Sequence, residues 1–183
     1  MKKYEFTGET KEIRLLFRTA TLHRIRATVA FGIVEVGDLG GWIEKEENLS
    51  HEGKAWVWGN AEVWGNAKVC GDAKVCGDAE VWGNAKVCGD AEVCGDAEVF
   101  SASHVLVIGA IGSRNDFTTF YRDKDNEITV KCGCFLGKID RFLEKVTQTH
   151  GDSKYALVYR AAVEVAKLQI DLSGEAPKDA DEE

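Results

Sequence analysis

Four histidines and six cysteines are the side chains of this sequence best suited to proton transfer, nucleophilic attack or metal binding. Among His23, His51, His104 and His150, only His104 falls in the register of a repeat that fills the middle of the chain. It is therefore the one catalytic candidate, as a general base. Its plainer role is a surface residue ending a ladder begun by Lys68 and Lys86. A zinc centre of three histidines needs two of them closely spaced, and the spacing here offers none. Cys132-Gly133-Cys134 would set two thiols on one strand face beside Ile128 and Val130, a weak metal candidate without further ligands; an apolar strand face is the plainer reading. Residues 37–42 are glycine-rich but lack the Lys-Ser/Thr of a phosphate-binding loop, so they read as a cap. No constellation for catalysis emerges and no cofactor is expected.

The elements that would position these groups come from the repeat. From Gly53-Lys-Ala-Trp-Val-Trp58 to Gly95-Asp-Ala-Glu-Val-Phe100, eight units of six residues follow without insertion, and a degenerate ninth runs from Ser101 to Leu106. Valine at every sixth position suits a strand interior. Alanine two places before it fits a tight inner corner, and Gly followed by Asn or Asp tolerates positive φ. Three short strands and three corners make an 18-residue coil. Coils stack about 4.8 Å apart, and only stacking buries the valines.

An 18-residue period also predicts columns of side chains. Val57/Val75/Val93, Val63/Val81/Val99 and Val69/Val87/Val105 should fill the interior. Trp58/Cys76/Cys94, Trp64/Trp82/Phe100 and Cys70/Cys88/Leu106 should point outward. So should Trp56/Lys74/Glu92, Glu62/Glu80/Glu98 and Lys68/Lys86/His104. One side thus carries an aromatic ladder beside an acidic one, and the outward residues are too apolar for a bare surface. Neighbouring subunits or the C-terminal segment would cover them. The stacked cysteine pairs are close enough to bridge on oxidation, but free thiols are expected in a cytosolic protein.

The Val-to-Ala spacing of four, as in Val57 with Ala61 and Val63 with Ala67, resembles the hexapeptide rule of left-handed parallel β-helix proteins. The handedness comes from that resemblance, because general physics favours right-handed crossovers in about 98% of cases. The order Arg24-Ile-Arg-Ala27, Gly37-Asp-Leu-Gly-Gly-Trp-Ile-Glu44, Asn48-Leu-Ser50 and Gly53-Lys-Ala-Trp-Val57 resembles the YdcK-like hexapeptide-repeat proteins of bacteria and prophages. The segment 113–172 resembles a C-terminal module of phage-type proteins. The resemblance implies a homotrimer around a three-fold axis, with Trp58, Trp64, Trp82, Phe100, Glu62, Glu80, Glu98, Lys68 and Lys86 at the assembly interface. It also implies the second reading, an acyltransferase with His104 as base. That reading lacks the loop insertion and long coil stack that shape an acyl-CoA cleft.

The expected architecture is mainly β. Residues 1–52 form N-terminal strands and a solenoid cap, and 53–112 a left-handed β-helix. A C-terminal β-hairpin and two helices occupy 113–172, and a disordered acidic tail 173–183. Strands are expected over 12–18 and 22–27. The hairpin pairs 117–122 with 127–132 across Asp123-Lys-Asp-Asn126. Ile139, Phe142, Leu143 and Val146 share one helix face, and Tyr155, Tyr159, Ala162, Ala166 and Ile170 another, with Gly151-Asp-Ser153 between as stop and N-cap.

The chain has 183 residues, 44% hydrophobic and 30% charged, with net charge −8. The tail supplies half of that charge: Glu175, Asp179, Asp181, Glu182 and Glu183 against Lys178 give −4. With no basic block, nucleic-acid binding is disfavoured. With no long apolar run and no apolar stretch after Lys2-Lys3, no membrane span or signal peptide is expected and the location is cytoplasmic, in the host if phage-encoded. The leading expectation is a non-catalytic trimeric scaffold that binds a host protein or a small anionic ligand through its caps and C-terminal module; the phage resemblance alone implies that it acts against a host defence component. A third class is a structural spacer or virion-associated protein.

Overall fold

A computed structural model describes residues 2–15 and 18–174. The expected acidic tail lies outside the described residues from 175 onward. A long hairpin, β1 (Tyr4–Arg14) and β2 (Thr19–Ala27), precedes β3 (Leu39–Ile43). Eight two-residue strands follow: β4 (Trp56–Val57), β5 (Glu62–Val63), β6 (Lys68–Val69), β7 (Lys74–Val75), β8 (Glu80–Val81), β9 (Lys86–Val87), β10 (Glu92–Val93) and β11 (Glu98–Val99). They stack in parallel as β3-β5-β8-β11, β4-β7-β10 and β6-β9, a β-solenoid of about three turns. The valines from Val57 to Val99 are buried inside it as expected, with the alanines at the corners. At each corner glycine takes positive φ, for instance +70° at Gly71 and +78° at Gly77. A Cβ on Gly71 would stand 2.9 Å from the Gly89 nitrogen of the next coil, so the stack requires glycine there.

The solenoid begins before the regular repeat. Trp42 and Ile43 pair with Glu62 and Val63, and Leu49 bridges to Val69. Ile43 and Leu49 thus continue two interior columns. Cβ atoms on Gly40 and Gly41 would meet Ile25 and the Ala61 carbonyl at 2.5 Å. The glycines let the cap close onto the coil, as a capping reading requires.

The ninth repeat departs from expectation. Val105 does not stack on Val87; it opens β12 (Val105–Ile111), which pairs antiparallel with β13 (Asp116–Arg122). β14 (Ile128–Cys132) and β15 (Phe135–Lys138) complete a four-stranded sheet. The expected hairpin is present, with Arg122 opposite Ile128, but residues 105–111 belong to the C-terminal sheet. Helices α1 (Ile139–His150) and α2 (Lys154–Gln169) pack on that sheet. Ile139, Phe142, Val146, Tyr159, Ala162 and Ala166 are buried as expected. Tyr155 stays exposed, and Ala156 and Val163 are buried instead. Gly151 ends α1 at φ +55°.

Both solenoid ends are closed by side chains. At the first coil, Asn48 Nδ2 donates to the Gly65 and Ala67 carbonyls at 3.1 and 2.9 Å. Lys3 Nζ donates to the Ala55 carbonyl at 2.7 Å and the Tyr4 hydroxyl to the Leu49 carbonyl at 2.9 Å. At the last coil, Thr119 Oγ1 accepts the Glu92 N–H at 3.0 Å. The Tyr121 hydroxyl accepts the Cys94 N–H at 3.3 Å and donates to its carbonyl at 2.8 Å.

The expectation of free thiols on the repeat is corrected. Cys70–Cys88 and Cys76–Cys94 are disulfides with Cα separations of 4.6 and 4.5 Å. In-register stacking brings each pair within bridging range. Each bridge closes an 18-residue separation, for which chain entropy gives about 3 kcal/mol.

Tyr121 is fully buried, so Tyr121→Phe strands the Cys94 backbone groups without a partner. The expected loss is about 1–3 kcal/mol in denaturant unfolding. An unchanged midpoint would show that the hydroxyl does not close the coil.

Candidate functional site

Flanking elements give the three solenoid sides different fates. On the first side, the indoles of Trp64 and Trp82 stack at 5.5 Å and 4°, and Phe100 continues the column at 4.9 Å. All three are buried under Leu22, with Ile13 and Trp42 packed alongside. The cover is the N-terminal hairpin of the same chain, neither of the two covers anticipated from sequence. The C-terminal sheet adds the Arg122 guanidinium, 4.6 Å over the Phe100 ring. Lys11 pairs with Glu62, and Arg122 with Glu98 at 3.5 Å. Glu80 lies between them. Partial burial and then the charges of Glu62 and Glu98 raise its pKa.

His104 lies beneath this side, and the surface role envisaged for it is overturned. It ends a 3-10 turn (Ala102–His104) and is 2% exposed. Its ring meets Phe100 edge-on at 4.3 Å, and Nδ1 accepts the Phe100 N–H at 3.4 Å. Burial, then Arg122, push its pKa down to about 4, against a weaker pull from Asp171. A sealed, weakly basic imidazole with Nδ1 engaged is poorly placed to serve a substrate.

The second side is open. Lys68 and Lys86 are exposed there beside the Cys70–Cys88 bridge, above a shallow hollow that reaches Glu46, Glu47 and His51.

The third side forms a cleft of about 570 Å³. Its floor is the stacked column Trp56, Lys74 and Glu92. The Phe31–Val34 turn walls one end and β13, β14 and the Gly133 turn wall the other. At the first end Trp56 is buried, edge-on to Phe31 at 5.4 Å and to Trp58 at 6.4 Å. Trp58 is only half-buried and lines the opening. At the other end Glu92 bonds Lys74 at 2.7 Å and Lys131 at 3.1 Å. Lys54 pairs with Asp72 at 3.2 Å on the flanking corner. The size and the mix of aromatic walls with convergent polar groups are those of a small-molecule site. Sequence columns gave Trp56, Lys74 and Glu92. Phe31, Arg114, Phe117 and Lys131 were not anticipated, because long-range packing alone brings them there.

The metal candidates do not assemble. Gly133, at φ +57°, and Cys134 form the turn between β14 and β15. Cys134 is exposed while Cys132 faces Tyr159 and Thr118, so the two thiols do not share a strand face. Asp123, Asp125 and Glu127 bring carboxylate oxygens within 4.8 Å of one another. Lys138 already occupies that cluster, bonding Asp123 and, at 2.9 Å, Glu127. Burial alone would lower the Lys138 pKa, but these bonds outweigh it and raise it. Asp123 also accepts the Asp125 and Glu127 N–H groups at 3.0 and 3.2 Å, which marks a hairpin turn held by its own residues.

His104 binds its proton more weakly folded than unfolded. Its contribution is complete above pH 6.5 and is lost as pH falls toward 4, on the order of 3 kcal/mol in all. His104→Gln is expected to flatten the stability profile between pH 6.5 and 4, measured by denaturant unfolding at fixed pH values. A profile identical to the wild type would refute this role. Neither a protein-family model nor a curated protein matches this sequence.

Proposed function

We propose that this protein is a non-catalytic binding protein whose ligand site is the cleft between the Phe31–Val34 turn and the C-terminal sheet. The observation that supports it is the cleft itself: about 570 Å³, with an aromatic end and a charged end on a rigid stacked floor. The solenoid is read as left-handed on its resemblance to hexapeptide-repeat proteins. The same resemblance, standing alone, makes the ligand a host component and the role one of inhibition or sequestration. The acyltransferase alternative rests on His104, which is sealed beneath Phe100.

Ligand-observed magnetic resonance of a small-molecule library with the full chain should give binders. Affinity should fall at least tenfold in Trp58→Ala. Binders indifferent to Trp58 would place the site elsewhere, and acetyl-CoA turnover abolished by His104→Gln would establish catalysis.

This reading does not need a homotrimer. The aromatic ladder that motivated one is buried within a single chain. The open side carries the Lys68/Lys86 ladder, which would face its own copies across a three-fold axis at an electrostatic cost. Light scattering is expected to return the mass of one chain; three would restore the trimer.

A further inference from the structure

We infer that the cleft takes a zwitterionic ligand of the free amino-acid class with a large apolar side chain, and not a polyanion. This rests on the reading of the cleft as a ligand site and adds its chemistry. The charged end is lined by three cations, Lys74, Lys131 and Arg114, and three anions, Asp90, Glu92 and Asp116. They sum to zero, so no field there concentrates a multiply charged anion.

These six groups are not equivalent. Lys74, Glu92 and Lys131 satisfy one another through the contacts already described, and Lys131 also bonds the Gly133 carbonyl. Arg114 and Asp90 make no ion pair or side-chain hydrogen bond among the described residues, and Asp116 accepts only the Phe117 N–H at 2.8 Å. The Arg114 guanidinium lies over the Gly133 turn, where a Cβ would stand 2.5 Å from its Nη1. Gly133 thus leaves the space that the guanidinium fills. The three exposed groups left without a side-chain partner are one forked cation, suited to a carboxylate, and two carboxylates, suited to an ammonium. The order Trp56, Lys74, Glu92 along the floor runs from the aromatic end to this charged end. A ligand with both charges on one head and an apolar body matches that polarity: the head meets Arg114 and Asp90, and the body lies toward Trp58 and Phe31.

Calorimetry on the full chain tests this with L-phenylalanine, its N-acetyl derivative, its amide and ATP. Binding of L-phenylalanine is expected, at least tenfold weaker for each derivative that lacks one charge. In Arg114→Gln the amino acid and its amide should bind alike, and in Asp90→Asn the amino acid and its N-acetyl form should. Binding of ATP in preference, weakened by Arg114→Gln, would overturn the ligand class while leaving the cleft as the site. Equal affinity for all three phenylalanine compounds would overturn the head-group assignment. No heat with any of the four probes would overturn the class, and if Trp58→Ala also leaves every library binder unaffected, the cleft reading falls with it.

Discussion

A parallel solenoid has a polar direction: backbone N–H groups of each coil donate to carbonyls of the following one, as Trp58 does to Val75 and Glu62 to Ala79. With about three turns, few coils have neighbours on both sides, so closing the ends matters as much as stacking. The first coils offer carbonyls without donors and the last offers N–H groups without acceptors, and an unpaired buried group costs about 1–3 kcal/mol. The caps match this demand. Donors close the first end: Asn48 Nδ2, Lys3 Nζ and the Tyr4 hydroxyl. Acceptors close the last: Thr119 Oγ1, the Tyr121 hydroxyl and His104 Nδ1. Burial drives the Lys3 pKa down to about 8, the cost of placing an ammonium where a donor is needed. His104 answers the opposite need and must stay neutral to accept.

This demand explains why the C-terminal sheet starts where it does. A ninth repeat unit in register would only have moved the open edge by six residues. Instead Val105 leaves the stack and β13 returns across the end, with Thr119 and Tyr121 on alternate positions reaching the coil and Asp123 bridging to Ala97. Period-two alternation in β13 thus meets the edge left by the period-six repeat.

The interior was legible because its period is local: valine and alanine at fixed spacing bring the same residues into register on every coil. The exterior columns were legible as columns, and their apolar character required a cover. What the cover was could not be read, since β1 and β2 reach Trp64 and Trp82 only through contacts some 40 or more residues apart in sequence, at Leu22 and Ile13. His104 was misplaced by extending the repeat one unit too far. Cys132 and Cys134 were misread because Gly133 turns the chain between them, which strand alternation cannot reveal. The cleft was invisible for a related reason. Each of its walls comes from a different flank, and the repeat supplies the floor and its rim, among them Trp56, Trp58, Lys74, Asp90 and Glu92.

A repeat alone makes each coil resemble the next, which gives rigidity but little discrimination between positions along a side. Specificity enters where flanks break that uniformity. On the side of Trp64 the hairpin removes the surface from solvent, and on the side of Lys68 the column stays open. Only on the side of Trp56 do both flanks stand apart, leaving an aromatic wall from the N-terminal turn and a guanidinium from the C-terminal sheet on one floor. That floor is held by coil stacking and by the Cys76–Cys94 bridge between the second and third coils. The spacing between the walls is thereby set by the number of coils, so adding or removing one 18-residue coil would change the reach of the site by about 4.8 Å without altering either wall.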